Sequence, residues 1–464
     1  MGTIAINKTP TSSFDAGTPI GDAIVIFFLP LILNVPVITH EAVSRSMISA
    51  VISIFILKNL LLYPTLSIRF RDKAREAVAH VLGGSSPIAN VLALFLLLFA
   101  LADLRGAFNG FSHPFSFIGL AFLTFGTFVY GLTVFALNTR TTQRTFLLGA
   151  LSYGLCAFVL ANFAGHFLGV VANSGLEEAG PNKMLSWVGI TKERIVFPFS
   201  GGLNNFGIMA CMCFVAWALQ FSAARTLVKK LFALGLAGVG LCGVVLTDTR
   251  GMFLVAALAI SLSVAGSRFA GVRNRLKWLP YALPLVPLIL IGMIESISYL
   301  GLADLFQREG QFALRLGLAS GRDVIWKAVL HTFTSFDPIQ IIGYGTYGQI
   351  TSGASKEFSW VFLQIGGLTA ASVHNATLQV LVDVGYVGLI VWIILWTRVF
   401  VGLQTCLAIS ANCPRRRMLV GLILVMMFSG FTEAGGTVYQ ADSFGIFLVL
   451  LAALVGYDYK SEDG

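Results

Sequence analysis

Apolar residues in this chain come in long, nearly unbroken runs. They show neither the alternation of a half-buried strand nor the one-sided stripe of a surface helix. About twelve such runs cover 20–39, 45–64, 87–104, 115–137, 146–171, 204–222, 232–248, 251–267, 279–296, 376–397, 418–433 and 440–457. Most are 17–25 residues long, enough to cross ~30 Å of hydrocarbon as helix. The last two are shorter and are interrupted by "FTEAGGTVYQADS". The pattern predicts an all-α, polytopic membrane protein of about twelve transmembrane helices, one membrane domain over 1–464. The connection at 297–375, between spans nine and ten, is too long for a bare link and should carry helical structure of its own.

Composition agrees. Of the 464 residues 56% are hydrophobic and only 11% charged, against about 25% charged in a soluble domain. Most of the surface must therefore face lipid. The polar residues 1–19 lead into the first run without a small-residue cleavage site, so no removable signal peptide is expected. Basic side chains gather in five alternate connections, at 66–80, 138–145, 223–231, 268–278 and 398–417. By the positive-inside rule these are cytoplasmic, as are both termini. The net charge of +9 mostly reflects this bias, and no nucleic-acid partner is needed to explain it. None of the six cysteines falls in an outer connection, and no zinc-type spacing occurs.

The chemistry lies in the opposite connections. "TDTRG" places Arg250 at the tip of a hairpin between two spans, against the charge bias. Such an arginine either snorkels and caps a helix or needs an anionic partner. The long connection contains "LASGRDVIWKAVLHTFTSFDP". Ser320 reads as an N-cap, and Ile325, Ala328, Val329 and Phe333 form an apolar stripe. Arg322 and Trp326 lie four apart near the helix start. The helix either rests on the membrane surface or forms a lid that aims Arg322 at a ligand. Arg308 and Arg315 lie upstream. Downstream, "IIGYGTYGQI" is either a plain turn or a backbone anion cradle.

His374 and Asn375 stand where the chain re-enters the membrane, with Gln379 and Asp383 following on one helix face. Asp383 either pairs with a neighbouring helix or serves function. Arg194 belongs to the 172–203 connection, Asn204 and Asn205 open the next span, and Glu433 closes a later span on the same side. Arginines recognise phosphate oxygens as a planar fork, and a histidine can act as general base. The set suits a phosphate-bearing lipid reacting with a hydroxyl. With no Walker motif and no aspartate pair for a metal-held nucleotide sugar, the transfer energy must be stored in the substrate, as in a lipid-linked pyrophosphate.

Taken in order, "TRG", "SGRDVIW", "GYGTYG" and "HNATLQVLVDVGYVGL" resemble the O-antigen ligase and Wzy-type polymerase superfamily. "RIVFPFSGGLNN" resembles a further, looser family segment, and together they cover roughly 190–435. Where the family has S-R-G, this chain has Asp248-Thr249-Arg250. The resemblance implies a metal-independent, inverting glycosyltransferase of the bacterial inner membrane, without cofactor. It would move a glycan from undecaprenyl pyrophosphate to a sugar hydroxyl at the periplasmic face, in the bilayer and alongside polysaccharide assembly partners. Its catalytic residues would be His374 as base with Arg250 and Arg322 on the leaving pyrophosphate. Arg194, Arg308, Arg315, Trp326, Asn375, Gln379, Asp383 and Glu433 would bind substrate. A surface-polysaccharide polymerase is the leading expectation. A ligase onto lipid A–core is the alternative. A transporter or flippase would require two similar halves with broken helices, and no such repeat is found in the sequence. A non-enzymatic scaffold would leave the outer arginines and His374 without a chemical role.

Overall fold

The computed structural model describes residues 20–39, 86–108, 126–128, 130–131, 134–135, 141–171, 181–301, 321–362, 372–409, 413–438 and 440–458. The expected span at 45–64, most of that at 115–137, and Arg308, Arg315 and Ser320 lie outside them. Within them the chain is helical and forms no β-strand, only an isolated bridge between Pro181 and Glu193.

Sixteen α-helices are used below. They are α1 (Ile20–Thr39), α2 (Pro87–Phe108), α3 (Thr141–Phe167), α4 (Lys183–Ser186), α5 (Leu203–Phe221), α6 (Leu227–Leu246), α7 (Arg250–Arg268) and α8 (Ala270–Arg275). After a 3-10 segment, Leu276–Leu285, come α9 (Val286–Tyr299), α10 (Arg322–Thr332), α11 (Ile339–Ile342), α12 (Gly348–Thr351), α13 (Ala354–Phe362), α14 (Ala376–Ile409), α15 (Pro414–Ser429) and α16 (Ala441–Asp458). Among the described residues seven helical stretches are long and apolar enough to cross a membrane: α2, α3, α5, α6, α7, α14 and the run Ala270–Tyr299. Shorter apolar helices lie at Ile20–Asn34 and Asp442–Gly456. The fold is therefore that of a polytopic membrane protein.

Two expected boundaries move. The basic connection at 268–278 is not a loop, because α8 and the 3-10 segment carry the helical path through it. Pro280 and Pro284 keep that segment from becoming α-helix, since neither can donate a backbone hydrogen bond. The helix expected to stop at 397 runs to Ile409. Nothing in "RVFVGLQTCLAI" breaks it, and Arg398 is as good a helix former as its neighbours.

The core sits around α15, where every residue from Met418 to Ser429 is buried. A helix enclosed on all sides has no polar face to spare, which explains why it is apolar all round. It packs against α5 and α7, and α14 packs against α2 and the 3-10 segment. In lipid the packing of helices depends on close backbone approach rather than on a hydrophobic gain. Gly240 of α6 shows this: a Cβ there would meet the Phe214 backbone nitrogen at 2.5 Å.

The two sets of connections expected on opposite faces make separate contacts. Asn182 donates to the Val245 carbonyl at 2.7 Å, and the Ala376 N–H donates to Gly430 O at 2.7 Å. The expected outer connections therefore meet at one end. At the other, Arg415 lies against Gly149, and Gln404 donates to Arg273 O at 2.9 Å.

Candidate active site

Arg250 is the first residue of α7, and Thr249 occupies the N-cap position without a side-chain cap bond. Asp248 just before it is fully buried and takes a left-handed backbone, φ 50°. Its carboxylate lies 3.6 Å from Arg250 Nε and accepts from the Met184 N–H at 3.3 Å. Arg250, partly exposed, thus has an internal partner in Asp248, two residues before it. No pattern in the sequence marks Asp248 as that partner, beyond its place two residues before Arg250.

Arg194 reaches the same place. The Ile195 N–H donates to Leu246 O at 2.9 Å, which ties this segment to the end of α6. Burial pulls the Arg194 guanidinium below its usual value; Asp248 counteracts this, while Arg250 and Arg322 add to it. Three arginines are therefore close enough for two of them to act on the charge of the third. Asn204 and Asn205 lie in the first turn of α5.

Arg322 opens α10, where Gly321, in a left-handed conformation, takes the N-cap position instead of Ser320. Its Nη2 donates to Glu433 Oε1. The other carboxylate oxygen, Oε2, lies 2.9 Å from His374 Nδ1. Glu433 is almost wholly enclosed, with 4% of its side chain exposed, whereas Arg322 and His374 keep 20% and 21%. Burial pushes the Glu433 carboxyl up, but Arg322 and His374 more than offset this and hold it below the usual carboxylate range. Arg322 Nε is buried and finds no hydrogen-bond partner among the described residues, an unspent donor of the kind that calls for an explanation. The Arg250 tip joins the same turn, since a Cβ on Gly251 would lie 3.7 Å from Thr432 Oγ1.

Four of the expected ligand contacts are occupied within the protein. Trp326 is buried, and its Nε1 donates to Val373 O at 3.0 Å. Asn375 donates to Phe431 O at 2.9 Å and accepts from the Leu378 N–H at 3.0 Å, which caps α14. Gln379 accepts from the Val373 N–H at 3.1 Å. It donates to Gln349 Oε1 and to both oxygens of Asp383, each at 3.0 Å. The structure spends the polar atoms of Trp326 and Asn375 and the Gln379 carbonyl on backbone near His374, and the Gln379 NH₂ on the side chains of Gln349 and Asp383.

The glycine-rich turn does bind carboxylates, and they are the protein's own. Gly348 N–H donates to Asp383 Oδ1 at 2.9 Å, and Thr346 N–H donates to Asp103 Oδ1. The turn also mends a break in α14, where Gly385 has φ 71° and ψ −166°. That break leaves the carbonyls of Val382 and Asp383 without their helical donors. Tyr344 N–H and Gly345 N–H fill the gaps, both at 2.9 Å. A Cβ on Gly343 would sit 2.4 Å from Asp383 O, so only glycine permits the approach. Asp103, in α2, escaped the sequence reading because nothing in the early spans marks it.

Residues 231–393 match the family model Wzy_C, described as O-antigen ligase. No curated protein matches the chain. The matched stretch holds Arg250, Arg322 and His374 with the Gln379–Asp383 pair. Over those residues the chain is similar to the O-antigen ligase family, the same resemblance that the TRG tip and the His374-Asn375 pattern carry.

Proposed function

We propose that this protein transfers a glycan from undecaprenyl pyrophosphate to a sugar hydroxyl at the periplasmic face of the bacterial inner membrane. The observation that carries this reading is the single buried carboxylate of Glu433, which holds Arg322 on one oxygen and His374 on the other. An anion-binding group and a proton acceptor are thereby fixed side by side, with Arg250 at the same turn. With Nδ1 turned to Glu433, the proton-accepting role falls to His374 Nε2. The acceptor oxygen attacks the anomeric carbon, and its proton passes to His374. The bond from that carbon to the pyrophosphate breaks, and its electron pair leaves with the pyrophosphate oxygen. The sugar carbon inverts. Arg250 and Arg322, both partly exposed, stabilise the charge that develops on the leaving group. Glu433 then orients the base rather than binding substrate, and Trp326, Asn375, Gln379 and Asp383 support the backbone around it.

The fold-level expectations kept here are a single polytopic domain of about twelve spans, with both termini cytoplasmic. A surface-polysaccharide polymerase remains the leading form of the activity. The alternative form is a ligase onto lipid A–core, and the family match is compatible with either. Cells lacking the protein separate them. A polymerase leaves one repeat unit on the core lipid, and a ligase leaves none.

The test of the chemistry is His374→Ala in a purified assay with lipid-linked donor. Turnover should fall by ~10²–10⁴, the usual cost of losing a general base, while donor binding and thermal stability stay near wild type. Turnover within a few-fold of wild type would remove His374 from the reaction.

A further inference from the structure

His374 has an uncommon backbone. Its φ of 51° lies in the left-handed region, which costs a non-glycine residue energy and persists only where the surroundings hold it. What holds it is visible one residue earlier. Both backbone polar groups of Val373 are engaged by buried side chains. The Trp326 indole donates to Val373 O at 3.0 Å, and Gln379 Oε1 accepts from Val373 N–H at 3.1 Å. Val373 itself is fully buried, so no water competes for either group.

The direction of the glutamine amide is also fixed. Its NH₂ donates to both oxygens of Asp383 and to Gln349 Oε1. The Val373 backbone N–H can only donate, and this fixes the carbonyl end of the amide toward Val373. On the other side of His374, Asn375 is tied to Phe431 O and to its own helix. Trp326 stands one turn along α10 from Arg322, on the same helix. Docking of that helix therefore seats the guanidinium on Glu433 and grips Val373 in one event.

We propose that Trp326 and Gln379 are positioning residues that act through the Val373 backbone to hold His374 against Glu433. Neither touches the reacting atoms. They fix where the imidazole stands relative to the anion-binding arginines, and this proposal rests on the reading of His374 as the base. A misplacement of about 1 Å is enough to cost on the order of 10²-fold in rate.

Full-length protein in detergent or nanodiscs tests this with Trp326→Phe, which keeps an aromatic ring and removes the N–H, and Gln379→Met, which keeps length and removes the acceptor. Three quantities are read: turnover with lipid-linked donor, donor affinity, and the rate at which diethyl pyrocarbonate modifies His374. The last is measured by mass spectrometry, with the exposed His331 as internal reference. The expected result is a 10–100-fold loss of turnover, donor affinity within a few-fold of wild type, and a changed modification rate at His374 alone. A merely structural role would move donor affinity and turnover together and leave the ratio of His374 to His331 modification as in wild type, which overturns the proposal. His374→Ala is run beside them. If it turns over normally, the base reading fails, and the modification ratio alone decides the grip: altered in either variant upholds it, unaltered in both overturns it.

Discussion

Glu433 answers two donors with one carboxylate, and its position makes acid the natural probe of the site. Its carboxyl titrates below the ordinary glutamate value of 4.5 in the folded protein. The unfolded chain then binds the proton first as pH falls. The stability Glu433 contributes is therefore complete above about pH 4.5 and is lost as pH drops through the lower folded value. Glu433→Gln removes that dependence. The variant should be less stable than wild type at pH 6, and the gap should narrow between pH 5 and pH 3, as read by thermal unfolding. A gap constant across that range would mean that Glu433 is not held as a charged partner of Arg322 and His374. Arg250, Arg322 and His374 were legible in the sequence because an ionisable group at a membrane boundary is rare enough to stand out. Glu433 also stood out, but not its role, since an acid's partner depends on the fold. Asp248 and Asp103 were hidden for a related reason. What each holds, the Met184 N–H for Asp248 and the Thr346 N–H for Asp103, lies on a distant segment and depends on the fold.

At the scale of elements, α14 shows how a broken helix is made tolerable inside a membrane protein. Its two orphaned carbonyls take N–H groups from the 343–348 turn, so no ion or water is required to satisfy them. A broken helix is also a transporter signature, but here the gap is filled by the protein's own backbone. Gly385→Ala tests the arrangement. A Cβ there would lie 2.4 Å from Gln340 O, on a residue whose φ is already 71°. Strain and clash together should cost about 2–4 kcal/mol and lower Tm clearly, with activity falling as the turn detaches. An unchanged Tm would show that the break can relax. The sequence showed the apolar runs and the glycine-rich turn separately. It could not show that the turn completes the helix, because that pairing joins residues some forty positions apart through backbone atoms alone.

For the molecule as a whole, the expected orientation is checked by labelling. A cysteine at Ser352 should react with an impermeant thiol reagent from the periplasm, and one at Gln143 should not. The reverse pattern would put the site on the wrong side for a periplasmic transferase. The composition of the chain was enough to place it in a membrane, and the long apolar runs were enough to locate most helices. Their ends were less legible where polar stretches such as 268–278 stay helical. The bridging carboxylate has a further consequence. Glu433 lies forty residues beyond the end of the matched region at 393, and Arg194 lies before its start at 231. The recognisable stretch holds His374 and two arginines but not the carboxylate that contacts His374 and Arg322. Chimeras that exchange only that stretch between related chains would inherit every signature residue and still depend on the recipient for a carboxylate at the end of its penultimate helix. Compatibility there, rather than within the exchanged stretch, would decide which of them work.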